Sequence, residues 1–264
     1  MKLYFRYISM LLKCQMEYRT SFLLLSFAQF FVPFLIFVSI YLLFQRFPTI
    51  AGWNLYEVAF CYGIIHIGFS ISECIGRGFD SFSPLVRKGL LDRFLLRPQS
   101  IILQILGSQF EFTRIGRLLQ SIMVLGFAII HLDIVWNFQA ILTLIFMIVG
   151  GVFIFIGIFM LGATLCFWTI EGIELVNILT DGGREISQYP LNIYPEGIRR
   201  FFTFIIPFGV VNYIPLLFLL GKIQTSSLVV SILYTATPLA GIGFVFPCIF
   251  IWNLGLRHYS STGS

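Results

Sequence analysis

The sequence predicts an all-α integral membrane protein, and three observations lead to that class. Hydrophobic residues make up 58% of the chain and charged residues only 11%, whereas a soluble domain carries about 25% charged residues. The mean hydropathy is +0.92. Uncharged apolar stretches of about 20 residues, the length that crosses a bilayer as a helix, recur along the chain. We therefore expect one transmembrane domain over residues 1–264, without a separate soluble domain.

Residues 1–20 predict a helix that lies on the membrane surface. Polar residues recur there every three to four positions, the period of a helix: Lys2, Arg6, Ser9, Lys13 and Glu17. Apolar side chains occupy the other faces, so the helix is basic and amphipathic, as interfacial helices are. A short disordered arm is the alternative interpretation.

About six spans are predicted after this helix, each from an apolar stretch long enough to cross the hydrocarbon. Their ranges are 21–44, 55–75, 116–132, 138–165, 168–189 and 227–252. An even number of spans places both termini on the same side of the membrane.

The basic residues predict that this side is the cytoplasm, because cytoplasmic loops are rich in Lys and Arg. They cluster in the N-terminal arm and between the second and third spans. Four basic residues fall on the outer side and disagree with the pattern: Arg184, Arg199, Arg200 and Lys222.

The predicted inner loop 77–98 combines charge with a large apolar content. Gly89 and Pro98 interrupt its sequence, so we expect one or two short amphipathic helices. These helices would dock on a cytosolic partner or lie on the inner leaflet. A loop that only sets the orientation of the spans is the simpler alternative.

The predicted fifth span, 168–189, carries a polar stripe at helical spacing. The stripe consists of Glu171, Glu174, Asn177, Asp181, Arg184 and Gln188. A charge in the hydrocarbon costs about 2.5–3.5 kcal/mol, so we expect the stripe to line a water-filled pathway or a subunit seam. Asp181 and Arg184 are spaced to pair on the helix surface. An amphipathic helix lying at the interface is the alternative.

Residues 190–222 predict a broken outer segment. Pro190, Pro195, Pro207 and Pro215 prevent one straight helix. The apolar part then forms two short helices that dip into the membrane and return, an arrangement that must be buried in protein or line a cavity. A kinked full span is the competitor, which would raise the number of spans to about seven and move the C-terminus outside.

Motifs for catalysis or cofactor binding do not occur in the sequence. It contains no HExxH, no GxxxxGK[ST] and no GxSxG, and its cysteines form no CxxC pair. We therefore expect no catalytic residue, no metal and no cofactor on this chain. The basic residues follow membrane orientation, and they do not form the patch with stacking aromatics that would indicate nucleic acid.

The chain resembles the membrane subunit of ABC-2-type exporters, and more specifically a bacterial branch of that family. Three stretches carry the resemblance: GLLDRFLLRP at Gly89–Pro98, YPLNIYPEGIRRF at Tyr189–Phe201, and IPFGVVNYIPLLFLLG at Ile206–Gly221. The order of elements also matches, from the basic interfacial helix through the amphipathic inner loop to the Pro-broken outer segment. The resemblance covers essentially the whole chain.

The resemblance implies a permease without ATPase activity of its own. In such systems two permease subunits, identical or related, form one pathway in the bacterial cell membrane. Each docks on a separate ATP-binding subunit, which holds ATP and Mg²⁺, through a cytosolic coupling helix. The coupling residues expected here are Arg87, Lys88, Leu91, Asp92, Arg93 and Phe94. The pathway residues expected here are Glu171, Glu174, Asn177 and Asp181.

Three other functions are compatible with the residues alone. An ion-coupled secondary transporter would use the acidic stripe to carry protons or sodium, although the inverted repeat typical of that class is not evident. A membrane-embedded enzyme would need a cluster of His, Asp or Cys at one depth. A membrane scaffold or sensor would need neither.

Overall fold

Helices form nearly all of the protein, as the predicted fold class requires. The computed structural model describes residues 2–169, 173–223 and 227–259, and within these ranges there is no β-sheet. The longer helices are α1 (Lys2–Glu17), α2 (Arg19–Arg46), α3 (Leu55–Asp80), α7 (Ile115–His131), α8 (Phe138–Leu165), α9 (Ile173–Ser187), α12 (Leu228–Ala236) and α13 (Ala240–His258). The shorter ones are α4 (Ser83–Arg87), α5 (Asp92–Leu95), α6 (Ile101–Ser108), α10 (Glu196–Arg200) and α11 (Ile214–Leu219).

Five helical stretches of the described residues are long and apolar enough to cross a membrane. They are Arg19–Arg46, Leu55–Arg87, Phe112–His131, Phe138–Leu165 and Val229–His258. A sixth candidate is a bent pair, Glu196–Ile205 and Gly209–Leu219, whose two parts meet at 86°. The protein is therefore a helical multi-pass membrane protein.

The predicted fifth span, 168–189, is not among the helices that are long and apolar enough to cross a membrane. Its described part, α9, has 15 residues, which is short of the length of about 20 residues that a span needs. Residues 170–172, which precede α9, lie outside the described residues. A membrane crossing by 168–189 stays a prediction.

The helix α3 lies at the centre of the bundle and packs against α7 on one side and α8 on another. In its most apolar stretch 78% of the residues are buried. The helix α13 packs on α8, and α2 packs mainly on α7. Two hydrophobic clusters result, one around the amino half of α3 and the other around its carboxyl half, where α8 and α13 also contribute.

Local signals fix where α3 and α8 begin. The Asn54 side chain accepts a hydrogen bond from the backbone N–H of Glu57 at 3.0 Å, and the Glu57 carboxylate accepts one from the backbone N–H of Asn54 at 2.9 Å. This reciprocal capping box satisfies two amide groups that a helix start leaves unpaired. At α8, Asn137 accepts from the backbone N–H of Ala140 at 2.8 Å.

The helices α8 and α13 cross at a glycine pair. A Cβ atom on Gly241 would lie 2.2 Å from the carbonyl oxygen of Gly150, so only glycine permits this approach. Close packing through small residues is a common way for membrane helices to associate. The 3₁₀ turn Thr237–Leu239 separates α12 from α13 at Pro238, and the predicted span 227–252 is therefore interrupted rather than one straight helix.

Prolines break the segment 190–222, as predicted. Pro195 directly precedes α10, and Pro207 separates two π-helical turns, Phe201–Ile205 and Gly209–Tyr213. Pro215 lies in the first turn of α11, a position where its missing N–H costs little. The segment thus consists of short helices with a sharp bend rather than one continuous helix.

Candidate coupling and pathway sites

Two short helices, α4 and α5, occupy the loop in which coupling helices are expected. The chain turns between them at Gly89, whose φ of +63° is left-handed and is adopted readily by glycine alone. The loop sequence therefore forms the pair of short helices that its glycine and proline residues predict.

The six expected coupling residues divide into anchors and surface residues. Leu91 is fully buried in the hydrophobic cluster at the carboxyl half of α3, and Phe94 packs against that cluster. Asp92 accepts a hydrogen bond from the Tyr259 hydroxyl at 3.0 Å, which ties α5 to the end of α13. These three residues hold α5 against the bundle.

The other three expected coupling residues form an exposed cationic surface. Arg87, Lys88 and Arg93 are exposed at the ends of α4 and α5. Because the anchors fix the backbone on which these side chains stand, the cations have a defined position on the protein surface. The loop therefore combines buried apolar anchors with exposed cations.

The four expected pathway residues are only partly described. Glu171 lies outside the described residues, and Glu174 lies in the first turn of α9, where the side chain is not described. Asn177 and Asp181 are exposed one helical turn apart. Glu185, one further turn along, is 43% exposed at its side chain, so α9 presents a polar and acidic face to its surroundings.

Gln188 directly follows α9, continues the polar stripe of Asn177 and Asp181, and contacts the bundle. Gln188 is buried; its amide donates to Glu185 at 2.7 Å and pairs with the ring Nε2 of His66, on α3, at 3.2 Å. The His66 ring stacks on Tyr62 with centroids 3.9 Å apart. His66 is therefore a buried histidine held by packing and by Gln188.

Arg184, in the same polar stripe, connects α9 to α3. Its guanidinium pairs with Asp181 at 3.0 Å, as the spacing predicts, and with Glu185 at 2.9 Å. The same guanidinium lies 4.8 Å from the ring centroid of Phe69 on α3. Arg117 of α7 lies 5.1 Å from the same ring. Phe69 thus receives two cations, an arrangement that cation–π attraction favours.

A buried ion cluster, one helical turn after Phe69, joins α3 to α7. The sequence did not predict this cluster. Glu73 pairs with both Arg117 and Arg114, each only 11–13% exposed at its side chain. Arg117 also donates to the Gln29 side chain of α2 at 3.0 Å. One feature of the sequence could have indicated the cluster: helical spacing places Tyr62, His66, Phe69 and Glu73 on one face of α3.

The cluster continues toward the carboxyl end of α3. Arg77 pairs with Asp80 and, at 3.0 Å, with Glu111, which also pairs with Arg114 at 3.3 Å. A polar seam therefore runs along α3, lined by α9 and α7, inside an otherwise apolar bundle. Ionisable side chains within membrane spans pair with one another inside the protein, and they mark functional pathways.

Several apolar helices around a central helix with a polar seam define a multi-pass membrane protein with a polar interior. The family model described as "ABC-2 family transporter protein" matches residues 30–263. The chain belongs to the ABC-2 transporter family and is a membrane component of an ABC transporter, a class that works with an ATP-binding partner. The comparisons with curated proteins and with solved structures found no match.

Proposed function

We propose that the chain is the permease subunit of an ATP-driven exporter, forms half of the translocation pathway and couples to a separate ATP-binding subunit. The acidic face of α9 carries this proposal. Asn177 and Asp181 of that face are exposed on the single chain, while α9 as a whole packs on α8 and α3.

The argument for the pathway rests on the cost of exposed charge in lipid. Asp181 is 59% exposed at its side chain, and a carboxylate facing the hydrocarbon costs about 2.5–3.5 kcal/mol. Water or a second permease subunit, identical or related, removes that cost. The face formed by Asn177, Asp181 and Glu185 therefore borders a wet pathway between two subunits.

The argument for coupling rests on the anchors of α4 and α5. Leu91 and Phe82 are fully buried in the same cluster as Trp252 of α13, so a displacement of α4 and α5 moves the helices packed there. ATP binding to the partner supplies the displacement through Arg87, Lys88 and Arg93. Because packed interfaces have discrete arrangements rather than deforming continuously, such a movement switches the bundle between two states.

The proposed location is the bacterial cell membrane, with both termini in the cytoplasm. The basic residues of α1, α4 and α5 then face the cytoplasm, in agreement with the positive-inside rule. The helix α1 lies along the inner surface and is fixed by Gln15, whose side chain accepts from the backbone N–H of Phe112 at 3.1 Å.

Purification of the tagged chain in mild detergent tests the proposed partner. We expect an ATP-binding subunit with a P-loop to co-purify and the complex to hydrolyse ATP. The double substitution Arg87→Glu, Lys88→Glu should abolish co-purification. The control is Arg46→Glu, at an exposed cation at the carboxyl end of α2, which should leave co-purification unchanged. A chain that purifies alone, or a complex indifferent to the double substitution, contradicts the coupling proposal.

Thiol labelling in membranes tests the pathway. In a Cys14→Ser background, Asp181→Cys should react with a charged, membrane-impermeant thiol reagent. The matched control is Leu24→Cys, because Leu24 of α2 is 65% exposed on the single chain but faces lipid, where the reagent does not dissolve. Equal reactivity at both positions, or no reaction at Asp181→Cys, contradicts a wet pathway along α9.

A further inference from the structure

Aromatic side chains from separate elements meet where the inner loop 77–98 joins the bundle. Trp252, in the carboxyl half of α13, is 1% exposed. Its ring centroid lies 5.4 Å from that of Phe79, in the last turn of α3, and 5.2 Å from that of Phe82, which directly precedes α4. It also lies 5.3 Å from the ring centroid of Phe167, which follows α8. All three pairs are edge-to-face, a geometry that aromatic rings prefer, so one buried indole contacts both the inner loop and the connection that leads from α8 to α9.

The end of α13 makes a second contact with the inner loop. Tyr259 directly follows α13, and its hydroxyl donates to Oδ1 of Asp92, in the first turn of α5, at 3.0 Å. The ring of Tyr259 also lies edge-to-face against that of Phe167, with centroids 6.1 Å apart. Tyr259 therefore connects α5 with both the end of α13 and the residues that follow α8.

The carboxyl end of α13 fits tightly against the end of α8. A Cβ atom on Gly255 would lie 2.7 Å from the side chain of Phe167 and 2.7 Å from that of Thr164, well inside the separation of about 3.5–4.0 Å that carbon atoms prefer. Because packed contacts have discrete arrangements rather than deforming continuously, a shift of the end of α13 displaces the residues after α8. The helix α9 begins shortly after them, at Ile173.

We propose that Tyr259 and Trp252 are positioning residues that transmit the movement of the inner loop to α13 and to the start of α9. This inference rests on the proposed function and adds to it a route from the coupling helices to the pathway helix. A displaced α5 acts on the end of α13 through the Tyr259 hydroxyl, and a displaced α4 acts on Trp252 through Phe82. Trp252 is buried within the chain, so it acts through the residues packed on it.

The response of the pathway to ATP tests this role. The chain with Cys14→Ser and Asp181→Cys is reconstituted in lipid nanodiscs together with its ATP-binding subunit. The rate of labelling by a charged thiol reagent is measured with and without a non-hydrolysable ATP analogue, and the proposed function requires the two rates to differ. Adding Tyr259→Phe should remove most of that difference, because α5 then moves without its bond to α13. Co-purification of the ATP-binding subunit and its ATP hydrolysis should persist.

Thr235→Val is the matched control for the loss of one hydroxyl. It removes the bond that Gln139 donates to Thr235 at 2.8 Å between α8 and α12, at the end of α8 opposite to the inner loop. It should lower the melting temperature about as much as Tyr259→Phe does and leave the effect of the ATP analogue unchanged. A purely structural role for Tyr259 would give the two variants the same labelling behaviour.

Trp252→Phe provides a second test, because it keeps an aromatic ring at the buried position but shortens its contacts. It should also weaken the effect of the ATP analogue. A labelling difference that Tyr259→Phe leaves as in the parent chain, or that Thr235→Val reduces equally, overturns the inference. If the analogue does not change labelling even when Tyr259 and Trp252 are intact, the proposed function itself is contradicted, and the inference is overturned with it.

Discussion

The helices α2 and α3 are both apolar membrane helices, yet they occupy opposite environments. The stretch containing α2 has the higher mean hydropathy, 2.3 against 1.6 for the stretch containing α3, but only 17% of its residues are buried against 78%. Between Arg19 and Arg46 the helix α2 carries no charge, whereas α3 contains Glu57, His66 and Glu73.

The difference shows that hydrophobicity alone does not decide which of these two helices is central. Lipid tails are as apolar as leucine, so burying apolar surface in the bundle gains little. A charged or hydrogen-bonding side chain in the membrane needs protein partners, and α3 finds them in α7 and α9. The more apolar helix stays outside because lipid already satisfies it.

The largest effect should come from removing the buried charge of α3. Glu73→Gln leaves Arg117 buried without its carboxylate and leaves Arg114 with Glu111 alone, and breaking such a buried pair costs about 3–5 kcal/mol. Titration with a denaturing detergent, read by circular dichroism, measures the loss of stability. Glu17→Gln, at an exposed position of α1, is the matched control and should change stability little. Equal effects at the two positions would show that the ion cluster does not hold α3 in place.

The next largest loss of stability should come from truncating a buried apolar side chain of α3, compared with an exposed one of α2. Ile64 of α3 is fully buried, while Leu24 of α2 is 65% exposed. Ile64→Ala should cost about 2–5 kcal/mol through the cavity that it leaves, and Leu24→Ala should change stability by less than about 0.5 kcal/mol. The same detergent titration distinguishes them. A costly Leu24→Ala would mean that a partner subunit, rather than lipid, covers that face of α2.

A smaller effect tests a close contact of α2 with α7 at Gly116. A Cβ atom on Gly116 would lie 1.8 Å from the carbonyl oxygen of Ser26, whereas one on Gly126 of the same helix meets nothing within 4 Å. Gly116→Ala should therefore cost about 1–3 kcal/mol by overpacking, and Gly126→Ala should be neutral or slightly stabilising. The melting temperatures of the two variants, measured by thermal unfolding in detergent, show which substitution is more destabilising. Two equal melting temperatures would contradict the tight α2–α7 crossing.

The smallest effect concerns the amino end of α3. The Lys222 ammonium lies 2.7 Å from the Glu57 carboxylate and 3.8 Å from the Trp53 ring centroid, but its side chain is 34% exposed. Water screens this pair, and Glu57 keeps its bond to the backbone of Asn54, so Lys222→Met should cost about 1 kcal/mol. Trp fluorescence during unfolding measures this loss. A loss as large as that of Glu73→Gln would mean that the two ends of α3 are equally dry.

Several elements could be predicted from the sequence because their signals are local. The predicted span 138–165 has the same bounds as α8, and 21–44 and 55–75 lie within α2 and α3. The two short helices in 77–98 and the broken segment 190–222 also follow from particular glycine and proline positions. The pairing of Asp181 with Arg184 followed from their spacing on one helix.

The candidate sites were predictable only in part, because a stripe on one helix does not reveal its partner. The spacing of Asn177 and Asp181 indicated a polar face, but it could not show that Gln188 meets His66 or that Arg184 meets Phe69. Among the expected coupling residues, the sequence could not separate the buried anchor Leu91 from the exposed cations beside it.

The sequence by itself determined the class of the protein and the approximate positions of most spans, since hydropathy and helix length are properties of consecutive residues. Only the tertiary structure decided that α3 is central, that Glu73 joins Arg114 and Arg117, and that Trp252 of α13 packs on Phe82 before α4. These relations depend on how helices distant in sequence cross and rotate against one another, and the pattern of any single helix does not specify its neighbours.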